Sequence, residues 1–458
     1  MGTAVPPVAR SWPGSSTICR NAGWLAAYLL SAAGCALATV TSRAAFGDLS
    51  IYAAGGAAVQ HGVPLYQLRF AFGLRFTYPP FAALLFAPLS WLPVTAGRVL
   101  VSAATILALP VTSYLALRLP PWSARLSRDR AAHLALAFSA AAIWLEPERT
   151  NLKYGQINVF LTALVLLDLV WVERDGNHRF GGALIGIAAG IKLTPALFAV
   201  YLLATRRYRA AATAAATFAA TVAIAFALVP GDAARYWDLS FLDPAHVGRI
   251  QNVANQSLLG ALARVLHTLS VGPVWLPAAA AVGGAGIALA ARAGRAGQAA
   301  QAFALCAVTS LLVSPISWSH HWVLAVPALL VAVVTAARRW PSRTAVAGLA
   351  AVAVVAIAGW AGIIWRVPLG GGHYAELNLT PVQLIAADAY VLAGLASVGL
   401  GLVLAASQAS TSAFHRLLSS SGTKQASNEL RASPASAASS KENAARTAAR
   451  LSSTYPPK

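Results

Sequence analysis

Long runs of apolar residues alternate with short polar stretches along most of the chain. A helix needs about 20 such residues to cross the hydrocarbon core of a bilayer, and a helix satisfies its own backbone hydrogen bonds there. The pattern predicts about twelve helical segments that span, or nearly span, a membrane. They lie near residues 22–42, 78–94, 97–118, 131–147, 157–173, 181–203, 210–229, 273–291, 300–316, 322–337, 344–364 and 382–405.

The polar stretches define the domain organisation. Residues 22–406 are predicted to form one transmembrane domain, preceded by a cytoplasmic segment at 1–21. Residues 407–458 are rich in Ser and Ala and lack an apolar period, which predicts a disordered cytoplasmic tail. The longest outer loops are expected at 43–77, 230–272 and 365–381.

Composition supports this class and excludes others. Hydrophobic residues make up 58% of the chain and charged residues 10%, whereas a soluble domain carries about a quarter charged residues. We therefore expect an all-α polytopic membrane protein. The net charge of +20 comes from arginines in short loops and in the tail, where they meet anionic lipid head groups; nucleic acid is not an expected partner. The three cysteines show no disulfide or metal-binding spacing.

Basic loops predict the orientation. The loops at 206–209, 292–295 and 338–343 fall on one side together with both termini, and that side is expected to be cytoplasmic. The loop from Arg118 to Arg130 is also strongly basic but falls on the other side. Either this loop is an exception, or one of the segments around it is re-entrant.

Asp48 is the first candidate for chemistry, because the chain has only fourteen acidic residues. It follows the first apolar run and opens a polar loop that extends to Phe76. A carboxylate at this depth is suited to act on a lipid head group. The structural alternative is that Asp48 caps a short helix that follows it, and the two roles can coexist.

Lys192 and a histidine pair are the next candidates. Lys192 lies inside an apolar segment, where a cation is costly and often functional; alternatively it extends to the interface or pairs with Asp168. His320 and His321 lie between tryptophans at a helix boundary. They are interfacial residues or hydrogen-bond donors to a phosphate, and no third ligand lies at zinc-binding spacing.

Other polar positions have simpler interpretations. The acidic residues of 230–256 fit a solvated connection, and 257–269 is expected to be an amphipathic helix lying in the membrane interface. Asp168 and Asp388 are expected to pair within the helix bundle. The polar stretch from Asn151 to Asn158 fits a helix cap and a helix–helix contact.

Six motifs in order resemble glycosyltransferase family 87. They are FGDLSIYAAGGAAVQHGVPLY, YPPFAALLFAPLSWLP, YGQIN, GALIGIAAGIKLTPALF followed by RRYRA, NQSL, and SPISWSHHWVL. The resemblance runs from about residue 46 to 330 and includes members that extend phosphatidylinositol mannosides in mycobacteria. It implies a GT-C fold and a polyprenyl-phosphate-mannose-dependent α-1,2-mannosyltransferase at the periplasmic face of the plasma membrane.

The resemblance also implies roles for individual residues. Asp48 matches the family's essential Asp of the first outer loop, and Ser319 stands where many members have an acid. Together with the residues themselves, it favours an inverting displacement in which Asp48 is the base. His321, His320 and Lys192 would neutralise the phosphate of a β-linked donor. Further candidate substrate contacts are Tyr52, Tyr66, Gln256 and Trp318.

No metal or other cofactor is expected, because the sequence offers no acid pair at binding spacing. The expected partners are polyprenyl-phosphate-mannose, a phosphatidylinositol mannoside or related glycolipid, and membrane lipids. Transfer onto lipomannan or arabinan chains is an alternative within the enzyme class. A lipid-linked sugar flippase or secondary transporter is the alternative from another class, although no internal repeat supports it.

Overall fold

The computed structural model describes residues 15–40, 45–69, 73–176, 178–238, 247–367 and 374–407. Within these ranges the fold is helical, without a β-strand; one isolated antiparallel bridge joins Asn255 and Trp318. Seven of the described helices are long and apolar enough to cross a membrane, and a bent helix pair would make an eighth. The predicted all-α, multi-pass membrane fold is confirmed. The first 14 residues, His246, His373 and the tail from residue 408 lie outside the described residues.

The α-helices, numbered in chain order, are α1 (Ser15–Val40), α2 (Gly47–Gln60), α3 (Pro80–Phe86), α4 (Val94–Arg118), α5 (Trp122–Arg125), α6 (Arg128–Ala142), α7 (Glu146–Tyr154), α8 (Asn158–Arg174), α9 (Ala183–Ile191), α10 (Ala196–Ala204), α11 (Tyr208–Leu228), α12 (Pro230–Asp238), α13 (Leu258–Val265), α14 (Gly272–Arg295), α15 (Ala299–Val313), α16 (Val326–Ala337), α17 (Arg343–Ala361), α18 (Pro381–Ala387) and α19 (Ala389–Ser407). Short 3-10 helices lie at Leu65–Gln67, Ala87–Trp91, Ser319–Ala325, Ile363–Arg366 and Ala375–Asn378. The chain divides into two compact units, Met1–Val398 and Gly399–Lys458, and the second is described only as far as Ser407.

Several predicted spans are broken at polar residues. The run 181–203 is interrupted between α9 and α10, where Lys192 lies and where Pro195 disfavours a helical conformation in the residue before it. The run 382–405 is interrupted at Asp388, between α18 and α19. The pair α7 and α8 is bent by 114°. These breaks bring polar side chains to helix ends inside the bundle, where backbone groups also need partners.

The basic loops lie together at one end of the bundle, which is called the basic end. It comprises residues 118–130, 204–209, 292–300 and 338–343. A salt bridge joins Arg207 to Glu173, with a distance of 2.6 Å between Nη2 and Oε1. Arg295 donates to the carbonyl of Ala204 at 2.7 Å. Two further contacts include the 118–130 loop: the Ala300 amide donates to the Pro120 carbonyl at 2.8 Å, and the Arg338 guanidinium lies 5.6 Å from the Trp122 ring centre.

The 118–130 loop therefore lies with the other basic loops. The reason is that two of the predicted spans are re-entrant, which changes the side on which this loop falls. Helices α9 and α10 begin and end at the basic end, with Lys192 at the apex of the hairpin. Each has nine residues, about 14 Å of helix, which is roughly half of the hydrocarbon thickness. The run 78–94 also returns to its own end, since Arg98 at the start of α4 lies 5.2 Å from the Phe46 ring centre beside α2. Two of the twelve predicted spans, 78–94 and 181–203, do not cross the bundle.

The second outer loop is more ordered than the sequence indicated. Its start is α12, where Asp232 accepts a hydrogen bond from the Leu65 amide at 2.9 Å, so this acid is not simply solvated. The predicted helix within 257–269 exists as α13, but it is largely buried inside the protein. Its Arg264 is fully buried and forms a salt bridge with Asp388, which confirms that Asp388 pairs within the bundle. Both charges leave water, so their mutual pairing is required for the loop to pack there.

Candidate active site

A single cavity of about 700 Å³ gathers most of the sequence-predicted site residues. It lies between α2, the break between α9 and α10, the 3-10 helix at Ser319–Ala325 and the outer segments around them. Its size is typical of a site for a small ligand or a lipid head group. The predicted residues that line it are Asp48, Tyr52, Tyr66, Lys192, Trp318, His320 and His321.

Asp48 lies in the first turn of α2 but does not cap it. The helix begins at Gly47 after Phe46, which has left-handed backbone dihedrals (φ 61°), and no side chain caps this end. The Asp48 Oδ2 accepts a hydrogen bond from Gln156 Nε2 at 2.7 Å. The capping interpretation is therefore wrong, and the carboxylate is directed toward the cavity and its polar neighbours.

The surroundings of Asp48 change its acidity in a defined direction. Removal from bulk water raises the pKa of the Asp48 carboxyl above its ordinary value. The hydrogen bond from Gln156 and the positive charge of Lys192 act in the opposite direction and are smaller. A carboxylate with a raised pKa is a stronger proton acceptor than an exposed aspartate once it is ionised.

Gln156 is held in one orientation by its other partners. Its Oε1 accepts hydrogen bonds from the hydroxyls of Tyr52 at 2.8 Å and Tyr78 at 3.2 Å. Both hydroxyls can donate and the amide NH₂ can only donate, so the amide nitrogen is directed at Asp48. Gly155 ends α7 with φ 68°, and a Cβ there would lie 2.8 Å from the Leu49 Cβ. Only glycine permits this turn beside α2, and the turn places Gln156 behind Asp48.

Asn158 continues the network from Gln156 to Lys192. Its Nδ2 lies 3.3 Å from Gln156 Oε1, and its Oδ1 accepts from Lys192 Nζ at 2.8 Å. The same Nζ lies 2.8 Å from His321 Nε2. A continuous chain of hydrogen bonds thus joins Asp48, Gln156, Asn158, Lys192 and His321. The sequence interpretation of YGQIN as a cap and a helix contact missed this role, and its only signal was three amides within eight residues beside a helix break.

Lys192 does not pair with Asp168, contrary to the alternative considered from the sequence. Asp168 instead accepts hydrogen bonds from the amides of Gly182 at 2.7 Å and Ile185 at 2.8 Å, at the N-terminus of α9. A carboxylate is stabilised by the free amides and the dipole of a helix N-terminus. Lys192 instead lines the cavity, where its Nζ contacts Asn158 and His321.

The histidine pair is buried and incompletely hydrogen-bonded. His320 and His321 are 7% and 8% exposed, so they are not surface residues. An ammonium group has donors only, so His321 Nε2 accepts from Lys192 and the proton of the neutral ring lies on Nδ1. Both His321 Nδ1 and His320 Nε2 are buried without a hydrogen-bond partner. Two unpaired ring nitrogens beside an ammonium group are suited to bind an anion.

Three of the four predicted substrate contacts line the cavity, and the fourth does not. Tyr52 donates to Gln156 and is itself buried, Tyr66 donates to the Tyr78 carbonyl at 2.7 Å, and Trp318 forms part of the cavity wall. Gln256 does not line the cavity. Its amide donates to the carbonyls of Val253 and Ala387 and accepts from the Tyr390 amide, so the geometry gives it a structural role instead of substrate contact.

The described residues contain no group of three His, Cys, Asp or Glu side chains arranged to hold a metal ion. The cations that face the cavity are instead protein side chains, with Lys192 in the buried part and Arg75 in a more exposed part. The expectation of a reaction without a metal stays a prediction.

The chain is similar to mannosyltransferases over more than half of its length. Two relatives come from Mycobacterium tuberculosis. The polyprenol-phosphate-mannose-dependent alpha-(1-2)-phosphatidylinositol pentamannoside mannosyltransferase of strain CDC 1551 / Oshkosh is 38% identical over 292 residues, covering 62% of this chain and 65% of the relative. The polyprenol-phosphate-mannose-dependent alpha-(1-2)-phosphatidylinositol mannoside mannosyltransferase of strain ATCC 25618 / H37Rv is 35% identical over 366 residues, covering 74% and 83%.

The chain is also similar to a solved structure and matches one family model. ArnT from Cupriavidus metallidurans bound to undecaprenyl phosphate is 16% identical, with a TM-score of 0.40 over 83% of this chain and 78% of that chain. The model of glycosyltransferase family 87 matches residues 76–315, which is more than half of the chain and includes Gln156, Asn158 and Lys192. With this match and the 35% identity over most of its length, the chain belongs to glycosyltransferase family 87.

Proposed function

We propose that the protein transfers mannose from polyprenyl-phosphate-mannose to a phosphatidylinositol mannoside, forming an α-1,2 bond with inversion. The observation that carries this proposal is the hydrogen-bonded chain from Asp48 to His321 along one cavity wall. It places a proton acceptor at one end, and the Lys192 amino group beside two histidine ring nitrogens without hydrogen-bond partners at the other. The names of the relatives support the choice of donor and acceptor.

The proposed reaction is one displacement. Asp48 takes the proton of the acceptor hydroxyl as the oxygen of that hydroxyl bonds to the anomeric carbon of the donor mannose. The bond between that carbon and the phosphate oxygen breaks, and its electron pair remains on the polyprenyl phosphate. Lys192, His320 and His321 donate to this phosphate, where negative charge grows. Gln156 occupies one oxygen of Asp48 and leaves the other for the substrate.

The direct test is turnover by the purified protein in lipid nanodiscs. Lipid-linked mannose and a phosphatidylinositol mannoside should yield a product longer by one mannose, cleaved by an α-1,2-specific mannosidase. Transport of the intact lipid-linked sugar across the bilayer, without a new bond, would instead establish the flippase or transporter alternative. Transfer to lipomannan or arabinan acceptors but not to phosphatidylinositol mannosides would replace the proposed acceptor class. The proposed displacement reaction would stay the same.

The pH dependence of kcat/KM for mannose transfer should change when Gln156 is replaced. Ionised Asp48 is the active form of the base, so activity should rise with pH through the raised pKa of Asp48. Gln156→Leu removes a hydrogen bond that lowers this pKa, so the acid limb of kcat/KM should move to higher pH. The matched control is Gln60→Leu, also a glutamine but at the far end of α2, which should leave the limb in place. An unchanged or lowered limb in Gln156→Leu would contradict the assignment of Asp48 as the base.

We further propose that the cavity faces the periplasm and that the basic end and both termini are cytoplasmic. Positively charged loops remain on the cytoplasmic side during insertion. In the structure all four basic loops, including the 118–130 loop, lie at the basic end. Single cysteines, in a background lacking Cys19, Cys35 and Cys306, test this with an impermeant thiol reagent in intact cells. His61→Cys and Tyr374→Cys should react, whereas Ala124→Cys and Arg339→Cys should react only after permeabilisation. Reaction of position 124 from outside would restore the topology in which the 118–130 loop is an exception.

A further inference from the structure

Glu146 is a buried acidic residue that binds three side chains from later parts of the chain. It is 2% exposed and is the first residue of α7. Its Oε1 accepts hydrogen bonds from the Ser319 hydroxyl at 2.7 Å and from the Trp365 indole nitrogen at 2.8 Å. Its Oε2 accepts from the Tyr390 hydroxyl at 2.9 Å. Among the described residues Glu146 forms no salt bridge, so its partners there are neutral donors.

The bond to Ser319 connects Glu146 to the histidine pair. Ser319 is the first residue of the 3-10 helix Ser319–Ala325, and His320 and His321 follow it directly. Ser319 is buried and lies against the cavity together with both histidines, whereas Glu146 does not line the cavity. The hydrogen bonds inside a 3-10 helix have poorer geometry than those of an α-helix. Contacts with neighbouring elements therefore decide where the side chains of this segment lie.

His320 is held from two further sides. The side-chain nitrogen of Asn158, at the start of α8, donates to the His320 carbonyl at 3.2 Å. The ring of Tyr154, the last residue of α7, lies perpendicular to the His320 ring, with 5.6 Å between the ring centres. Among the described residues no group bonds to the His320 Nε2. Protein contacts thus fix the backbone and the ring of His320, while its Nε2 stays available to a ligand.

We propose that Glu146 is a positioning residue for the donor phosphate: through Ser319 it sets the position of His320, whose Nε2 donates to that phosphate. The inference rests on the proposed function, in which the phosphate lies at Lys192 and both histidines. Glu146 acts only through its neighbours, since it is absent from the cavity wall. Its partners are neutral, so this role requires an acceptor oxygen and no negative charge.

Ser319→Ala removes the link, with Ser113→Ala as the matched control. Ser113 is also buried, its hydroxyl lies 3.1 Å from the Ser139 hydroxyl, and it does not line the cavity. Ser319→Ala should lower kcat about tenfold, because a displaced donor stabilises the departing phosphate less well. The acceptor KM should stay within about twofold. Both variants lose one buried hydrogen bond and should show a comparable fall in Tm, but Ser113→Ala should keep the wild-type kcat.

Two substitutions of Glu146 separate its oxygen from its charge. Glu146→Gln keeps an oxygen that can accept from Ser319 and Trp365, and its NH₂ can donate to the Tyr390 hydroxyl. It should keep about a third or more of the wild-type kcat. Glu146→Leu should lose about tenfold or more, as Ser319→Ala does. Equal losses in the Gln and Leu variants would show that the charge is required and would overturn the positioning role.

A double-variant cycle tests whether the effect passes through His320. In a His320→Ala background there is no ring to position, and His321 keeps its bond to Lys192. Ser319→Ala should then lower kcat by less than about twofold, against about tenfold in the wild-type background. A tenfold loss in both backgrounds would show that Ser319 acts elsewhere, and the positioning role would be refuted.

Binding without turnover separates this inference from the proposed reaction. The affinity of farnesyl phosphate, a short polyprenyl monophosphate, is measured for the protein in nanodiscs without donor or acceptor. It should fall about threefold or more in Ser319→Ala and in His320→Ala, and stay unchanged in Ser113→Ala. Absence of transfer by the wild type, with these binding differences intact, would refute the proposed function and leave the positioning role. An unchanged affinity in Ser319→Ala would overturn the positioning role itself.

Discussion

Asp48→Asn should lower mannose transfer by about a hundredfold or more while the protein keeps its fold. The substitution preserves shape and leaves an oxygen that can accept from Gln156, but it removes the ability to take a proton. The loss should appear in kcat, because the proton moves only as the new bond forms. Steady-state rates with both lipid substrates, compared with thermal unfolding in the same nanodiscs, measure the two effects separately.

The stability of Asp48→Asn should equal or exceed that of the wild type near neutral pH. A carboxyl whose pKa is raised by burial ionises at lower pH in the unfolded chain than in the native protein. Its contribution to stability is therefore lost as pH rises through the native pKa, and an asparagine avoids that loss. Retained activity in Asp48→Asn would remove the residue from the mechanism. A large fall in Tm would instead assign it a structural role.

Lys192→Met and His321→Ala should each lower kcat by roughly two orders of magnitude. Removing one donor to a developing oxyanion costs about 2–4 kcal/mol, and both side chains are placed to donate to the same phosphate. Among the described residues Lys192 forms no salt bridge, and Asp168 is bound to the start of α9. The double variant should lose less than the product of the single losses, because the two residues share one hydrogen bond.

Two controls make this prediction specific. Lys153→Met removes a cation at the end of α7 that does not line the cavity, and it should leave turnover unchanged. EDTA should leave wild-type activity largely intact, because protein side chains supply the positive charge. A strict requirement for magnesium or manganese, together with mild effects of Lys192→Met and His321→Ala, would show that a metal carries the phosphate charge.

The resemblance of six motifs pointed to residues that line one cavity, whereas local chemistry left each of them with two interpretations. Asp48, Lys192, His320 and His321 lie far apart in the sequence, and each had a plausible structural alternative. Their common cavity arises because α2, the apex between α9 and α10, and the 3-10 helix at Ser319–Ala325 meet at one end of the bundle. Gln256 does not line this cavity; a motif does not show which way its side chain is directed.

The sequence alone determined that this is a helical membrane protein, because apolar runs of bilayer length leave the backbone few alternatives. It also located most of the helices and the basic loops. Tertiary contacts decided which apolar runs cross the bundle. Helices α9 and α10 together are as apolar as a span. The contacts of Arg207 with Glu173 and of Arg295 with Ala204 place both ends of this run at the basic end, which identifies it as a hairpin. Tertiary contacts likewise decided the partners of buried charges. Hydrophobic periodicity reports burial within one element, whereas the pairing of Glu146 with Trp365, or of Gln156 with Asp48, depends on which helix ends meet.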